Sequence, residues 1–400
     1  MMTQPADPPL DARYLAGVRK RLDSLFESDE DAPSQDYDPS RDRIIVLSDH
    51  HRGIGDRADD FRSCEHAYAT ALGFYLESGY RLLMLGDTEE LWEVTRPAKV
   101  FDRYEHIMGQ ERAFAERGRL DRFWGNHDDR WARAAAVRDE LRSQIGAAPV
   151  REALRLRVPR PGGESVTIFF VHGHQGTPES DRYSRLARLP VRYLWTLIQR
   201  WQGATATTPA KDHALRGKHD RAMFEWARER PGRILIAGHT HRPVFASSAP
   251  DPPVTRPIAE LERALAQARE EGDERAVAVR AAELEYARTL ERRRELTVQV
   301  SPPCYFNTGC CSFPDGDITG IEIADGEIRL VRWPANLAEL RLDGSDELDP
   351  EKRILARAPL GAITDAVAEP AEARIVERQL LPGGPPAPSD ILHPNSPRGR

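Results

Sequence analysis

Cysteine is scarce, with four residues in a chain of 400, and no CxxC pair occurs. That excludes a disulfide framework and makes a thiolate zinc site a poor reading. No apolar run approaches the roughly 20 residues of a membrane span. The N-terminal stretch from Met1 to Asp7 has neither a basic region nor an apolar core, so no signal peptide is expected and a reducing cytoplasm is the default. A basic surplus is also missing. The formal net charge is −7, which argues against a general nucleic-acid binder. Internal repeats are absent as well. What remains is a soluble globular composition, 40% hydrophobic and 30% charged, long enough for one large domain or two smaller ones.

Short apolar runs that end in polar, histidine-rich tips recur along the chain. The stretch from Arg233 to Ala237 reads as a buried strand and ends in Gly238-His239-Thr240-His241. Two imidazoles two positions apart in an extended segment point the same way. An exposed histidine pair in a loop is the competing reading. Upstream, a strand from Arg43 to Leu47 ends in Ser48-Asp49-His50-His51-Arg52-Gly53. Another, Tyr80 to Leu85, ends in Gly86-Asp87-Thr88-Glu89-Glu90. A third, Leu120 to Trp124, ends in Gly125-Asn126-His127-Asp128. A fourth, Ser165 to Val171, ends in His172-Gly173-His174. Helical segments are expected at Ala58 to Glu77 and Ala98 to Arg117, and a further helix before the Pro159 to Gly163 turn. Strand, polar tip and helix in repetition imply an α/β domain whose ligands bind at the strand ends.

The flanks and insertions have a different texture. Residues 1–40 read as one helix, Leu10 to Phe26, followed by an acidic linker, Glu27 to Ser40. Residues 41–342 form the main domain. Within it, 175–230 reads as a helical cap insertion with helices at Asp181 to Gln202 and Ala210 to Arg228. Residues 257–296 read as a charged helical hairpin. The core resumes at Cys304 to Gly309, with strands from Ile318 to Ile323 and Glu327 to Trp333. Residues 343–400 read as a polar, largely disordered tail.

Seven of the twelve histidines lie in the strand tips, accompanied by Asp49, Asp87, Glu90, Asn126 and Asp128. Mixed imidazole, carboxylate and amide donors suit manganese, zinc or iron. In chain order the tips supply DxH, GDxxE, GNHD, a histidine tip and GHxH. This ordered set resembles the calcineurin-like metallophosphoesterases over roughly Arg43 to Trp333, outside the two insertions. The resemblance implies a four-layer αββα sandwich with two divalent metals at one edge, manganese first and zinc or iron as alternatives. It implies that Asp49, His51, Asp87 and His241 hold one metal, and that Asp87, Asn126, His172 and His239 hold the other. Phosphate-ester or pyrophosphate hydrolysis by a bridging hydroxide would follow. His127 would contact phosphate or protonate the leaving group, with Glu90 orienting it. Glu90 as a plain helix-start acid is the alternative.

Arg52 and Arg242 flank ligand tips and are candidate phosphate contacts, with surface ion pairing equally open. His50 and His174 would either support the ligands or only cover the site. Cys310 and Cys311 read as core thiols. The pattern is nearest to the UDP-2,3-diacylglucosamine pyrophosphohydrolase-like branch, in which the inserted helices cap acyl chains. One departure is that this branch carries Arg where this chain has His127. The substrate expected is a phosphorylated small molecule or a lipid-linked one. The segment 186–202 would either touch a membrane surface or pack on the domain. A partner-binding scaffold and a nuclease are the rival functions. A protein phosphatase is disfavoured because GDxxDRG is absent.

Overall fold

The computed structural model describes residues 12–161, 163–176, 213–247, 302–335 and 352–368, and scattered positions between 263 and 284. Twelve strands run in chain order among these residues: β1 (Ser34–Asp36), β2 (Ile44–Leu47), β3 (Arg81–Leu85), β4 (Leu120–Phe123), β5 (Val150–Arg151), β6 (Ala153–Val158), β7 (Val166–Val171), β8 (Arg233–Ala237), β9 (Tyr305–Asn307), β10 (Ile318–Ala324), β11 (Glu327–Trp333) and β12 (Arg353–Pro359). They form two sheets. One has seven strands in the order β12-β11-β10-β2-β3-β4-β5, and the other has five in the order β1-β6-β7-β8-β9. The helices that cover them are α1 (Ala12–Phe26), α2 (Glu65–Glu77), α3 (Pro97–Arg103), α4 (Glu105–Glu116), α5 (His213–Arg228) and α6 (Leu360–Ala368).

The central strands are apolar on both faces because both faces are covered. In β2, Ile44 and Val46 join the core shared with β7 and β8, while Ile45 and Leu47 join the core under α2 and α4. In β3 the same alternation sends Leu83 and Leu85 one way, and Leu82 and Met84 the other. The five-stranded sheet is covered by α1 and α5, through Val18, Leu22, Leu25, Met223 and Trp226. The result is a helix–sheet–sheet–helix sandwich, the architecture expected. Parallel pairing of β2, β3 and β4, and of β7 and β8, brings their carboxyl ends to one edge.

Four expectations are corrected. The stretch expected as a linker holds β1, which pairs in parallel with β6 and buries Ala32 and Tyr37 nearby. β6 was not expected, although Leu154, Leu156 and Val158 turn inward while Arg157 is exposed, a period-two pattern. The second helix of the expected cap, α5, is a core layer: Ala222, Met223 and Trp226 are fully buried. Part of the expected tail is ordered, since β12 pairs with β11, and α6 buries Leu360, Ile363 and Val367. The first cap helix, the 186–202 segment and the tail beyond 368 lie outside the described residues. In the 257–296 insertion, the described positions bring Leu265 and Leu284 together with Val277 and Ala281.

Candidate metal centre

Five tips, at the carboxyl ends of β2, β3, β4, β7 and β8, converge. Backbone bonds tie them: the Asp49 N–H donates to Gly86 O, the His51 N–H to Asp87 O and the Gly238 N–H to His172 O. Of the eight non-glycine residues with positive φ among the described residues, five are expected ligands: Asp49, His51, Asp87, His239 and His241. Left-handed backbone costs such residues about 1 kcal/mol each and persists where the surroundings enforce it. Glycines make room. A Cβ on Gly125 would overlap the Asp87 carboxylate, and one on Gly238 would overlap Ser48 and Asp49. That is the local reason for the GN and GH dipeptides.

The two aspartates are oriented in the same way. Asp49 Oδ2 accepts the His239 N–H at 2.8 Å and a bond from Ser48 Oγ, leaving Oδ1 for the site. Asp87 Oδ1 accepts the His127 N–H at 2.8 Å, and Oδ2 lies 3.1 Å from His172 Nε2 and 3.9 Å from His51 Nε2. Asp49 Oδ1 lies 3.3 Å from His241 Nε2, which faces His51 Nε2 at 3.0 Å. Two donor groups result, Asp49-His51-His241 and Asp87-His172-His239, each with its atoms within 4.8 Å of one another. Asp87 Oδ2 faces an imidazole of each group, His172 at 3.1 Å and His51 at 3.9 Å. The imidazoles are held from behind: His172 Nδ1 bonds to Leu85 O at 2.8 Å and His51 Nδ1 to Glu90 Oε2 at 3.1 Å. Such outer partners fix the tautomer and aim Nε2 inward.

Charge at the site is concentrated. Burial opposes ionisation of His51, but the Glu90 hydrogen bond and the charges of Asp87, Glu90 and Asp49 outweigh it and raise its pKa to about 10. His172 is likewise raised to about 9, against burial, by Asp87 and Asp49. Asp87 is held well below the carboxylate range, despite burial, by His172, His127 and His51. Positive charge on these two imidazoles is thus favoured by the carboxylates around them.

His127 stands apart from both groups. Its Nδ1 lies 2.6 Å from Glu90 Oε2, Trp92 stacks on its ring at 4.1 Å, and the His51 ring meets it edge-on at 4.6 Å. Burial opposes its charge, but Glu90 and Asp87 raise its pKa. Glu90 therefore serves His51 and His127 together. These three also satisfy the spacing of a possible metal group. However, Glu90 meets the Nδ1 atom of each ring, while His51 turns Nε2 to Asp49 and Asp87, so an orienting role fits better.

Arg52 does not take the expected place. It is fully buried, its guanidinium is bonded to Glu111, and it lies over the Phe61 and Tyr68 rings at 5.0 and 5.2 Å. Its donors are turned away from the tips because Glu111, also buried, needs a cation. Arg242 is half-exposed, with Nη1 4.0 Å from Asp220 Oδ2. His50 sits between Phe61 and Tyr68, and His174 lies buried against Trp124 and His172. Asp128 accepts N–H bonds from Thr88 and Gly125, stitching two tips together. The four cysteines are buried. The sequence reading missed His219 and Asp220 on α5, and Trp92. Polar residues on a helix face that also carries Ala222, Met223 and Trp226 were the available signal.

Donor chemistry tests whether metal fits. The Asn126 side-chain oxygen is buried and accepts no hydrogen bond, and Asp49 Oδ1 is buried with the His241 and His51 Nε2 atoms at 3.3 and 3.9 Å. Such atoms are costly unless something fills the place. Nitrogen and oxygen donors without thiolate suit manganese, zinc or iron. The residues present fit a divalent cation.

No family model matches the chain, and no curated protein matches it. A solved structure from Streptococcus pneumoniae TIGR4, described as a conserved uncharacterized protein and predicted phosphoesterase, is similar at 11% identity. The match covers 74% of this chain and 90% of that one, with a TM-score of 0.23. At that score the likeness carries no weight for fold or function.

Proposed function

We propose that the chain is a divalent-metal-dependent hydrolase of phosphate esters or pyrophosphates. The observation that carries this reading is the pair of adjacent donor groups, Asp49-His51-His241 and Asp87-His172-His239, with Asp87 Oδ2 also 3.9 Å from His51 Nε2 and Asp49 Oδ1 buried beside the His241 ring. Asp49, His51, Asp87 and His241 would hold one cation, and Asp87, Asn126, His172 and His239 the other. Bound metal would neutralise phosphoryl charge and lower the pKa of a coordinated water.

The protein's own groups supply the rest. His127, whose pKa Glu90 and Asp87 raise, would present Nε2 to the leaving oxygen as a general acid. Trp92 limits rotation of that ring. Arg242 is the remaining candidate cation for a phosphate oxygen. A pyrophosphate bond in a lipid-linked nucleotide is the first substrate to try, following the family branch that the motifs resemble.

The test is a hydrolysis panel of monoesters, diesters, nucleotide pyrophosphates and phosphoproteins on manganese-reconstituted protein, with Asp87→Asn alongside. Turnover of at least one class that is lost in Asp87→Asn is expected. Metal uptake without turnover of any class would favour a binding scaffold instead.

A further inference from the structure

We infer that two adjacent side chains of α5, His219 and Asp220, brace two ligand-bearing tips from behind and so set the metal affinity of the centre; this rests on the metal-dependent reading above. Both are positioning residues.

His219 is 4% exposed. Its Nε2 bonds to the carbonyl of Gly173, the residue between His172 and His174. A carbonyl only accepts, so Nε2 carries the proton, and the neutral ring's Nδ1 accepts from the Tyr14 hydroxyl at 2.6 Å. Tyr14 belongs to α1, so both covering helices are engaged. The His219 ring also lies 5.3 Å from the His239 ring.

Asp220 is 7% exposed and serves the other tip. Its Oδ1 accepts from Thr240 Oγ1 at 2.9 Å and from the Tyr305 hydroxyl at 2.8 Å. Asn307 Nδ2 closes the network, donating to Gly238 O at 2.7 Å, Thr240 Oγ1 at 3.2 Å and the Tyr305 hydroxyl at 3.1 Å. Thr240 lies between His239 and His241, which have φ values of 69° and 54°. Strained backbone of this kind needs surroundings that enforce it.

Packing alone does not explain these residues. A helix that only covered the sheet would carry apolar side chains here, as it does at Ala222, Met223 and Trp226. A buried carboxylate and imidazole are costly unless their bonds are satisfied, and one bond of each runs to a ligand-bearing tip. Asp220 also faces Arg242, so the same carboxylate sets where that guanidinium stands. One turn of α5 thereby fixes the spacing between the ends of β7 and β8.

The geometry assigns different consequences to the two residues. His219 touches the tip of His172 and the ring of His239, both of one donor group, so its loss should weaken one metal. Asp220 supports the residue between His239 and His241, so its loss should weaken both.

The test is manganese titration of metal-free full-length protein by calorimetry, with the metal-free melting temperature measured in parallel. His219→Ala should weaken one of two sites, and Asp220→Ala both, by roughly 10–100-fold, the usual worth of an outer-shell partner. Asp220→Asn, which keeps an acceptor for Thr240 and Tyr305, should restore most of the affinity. If Asp220→Ala does not fold, Thr240→Val removes the same bond from the other side and should weaken both sites. Wild-type affinities in the alanine variants overturn the inference, as does a loss that Asp220→Asn fails to recover. Wild-type protein that takes up no manganese overturns the proposed function itself.

Discussion

Glu90 holds two imidazoles by their Nδ1 atoms, those of His127 and His51. Under the proposed function the first would be oriented as a proton donor and the second as a metal ligand. Substitutions at three positions should therefore separate. Asp87→Ala removes the carboxylate shared by both donor groups and should lose metal and activity together. His127→Ala should keep its metal while the rate falls by roughly 10²–10⁴. That loss should shrink for leaving groups of low pKa, which need no proton. Glu90→Gln should lower both the rate and the metal affinity, because it disturbs both rings. Metal analysis beside steady-state kinetics decides among these. Fully loaded Asp87→Ala protein, or metal-free His127→Ala protein, would reverse the assignment.

At the scale of the element, each ligand tip is a local product of strand and loop, whereas the layers outside the sheets are not. β12 and α6 close the edge of the seven-stranded sheet. α6 buries Leu360, Ile363 and Val367, and Val367 O accepts the Gly232 N–H at the start of β8. Each such side chain is worth about 1.5–3 kcal/mol when buried. A truncation after residue 342 should therefore lower the melting temperature markedly or yield insoluble protein, although the removed segment holds no expected ligand. Soluble truncated protein with an unchanged melting temperature would show that the segment is an accessory.

The whole molecule is acidic, at −7, so an anionic substrate of the proposed kind would have to be attracted by cations at the site. His51, at about 10, and His172, at about 9, have pKa values raised above the ordinary 6.5. In metal-free protein their contribution to stability is fully present below about pH 6.5 and is lost as pH rises through 9 to 10. Metal binding displaces those protons, so affinity should fall as pH falls. The rise in melting temperature on adding manganese should accordingly grow from pH 6 to pH 9. A rise that is constant across that range would mean the two imidazoles are not the groups displaced.

The sequence by itself determined the five tips, their order and their donor chemistry. These are local: a short apolar strand, a small residue where a carboxylate must approach, then histidine or aspartate where the chain leaves the sheet. The repetition of short apolar run, polar tip and helical segment also carried the α/β class. The β6 strand is marked by a different signal, the alternation of Arg155 and Arg157 with apolar residues. Tertiary structure decided every matter that depends on a partner distant in sequence. Arg52 reads as a phosphate contact until Glu111, fifty-nine positions on, claims its guanidinium. Glu90 reads as the partner of one histidine until folding brings a second beside it. Asp220 and His219 carry no motif, and their roles exist only because α5 lies behind the ends of β7 and β8. A side chain's type is written in the chain, but the company it keeps is set by the packing of layers.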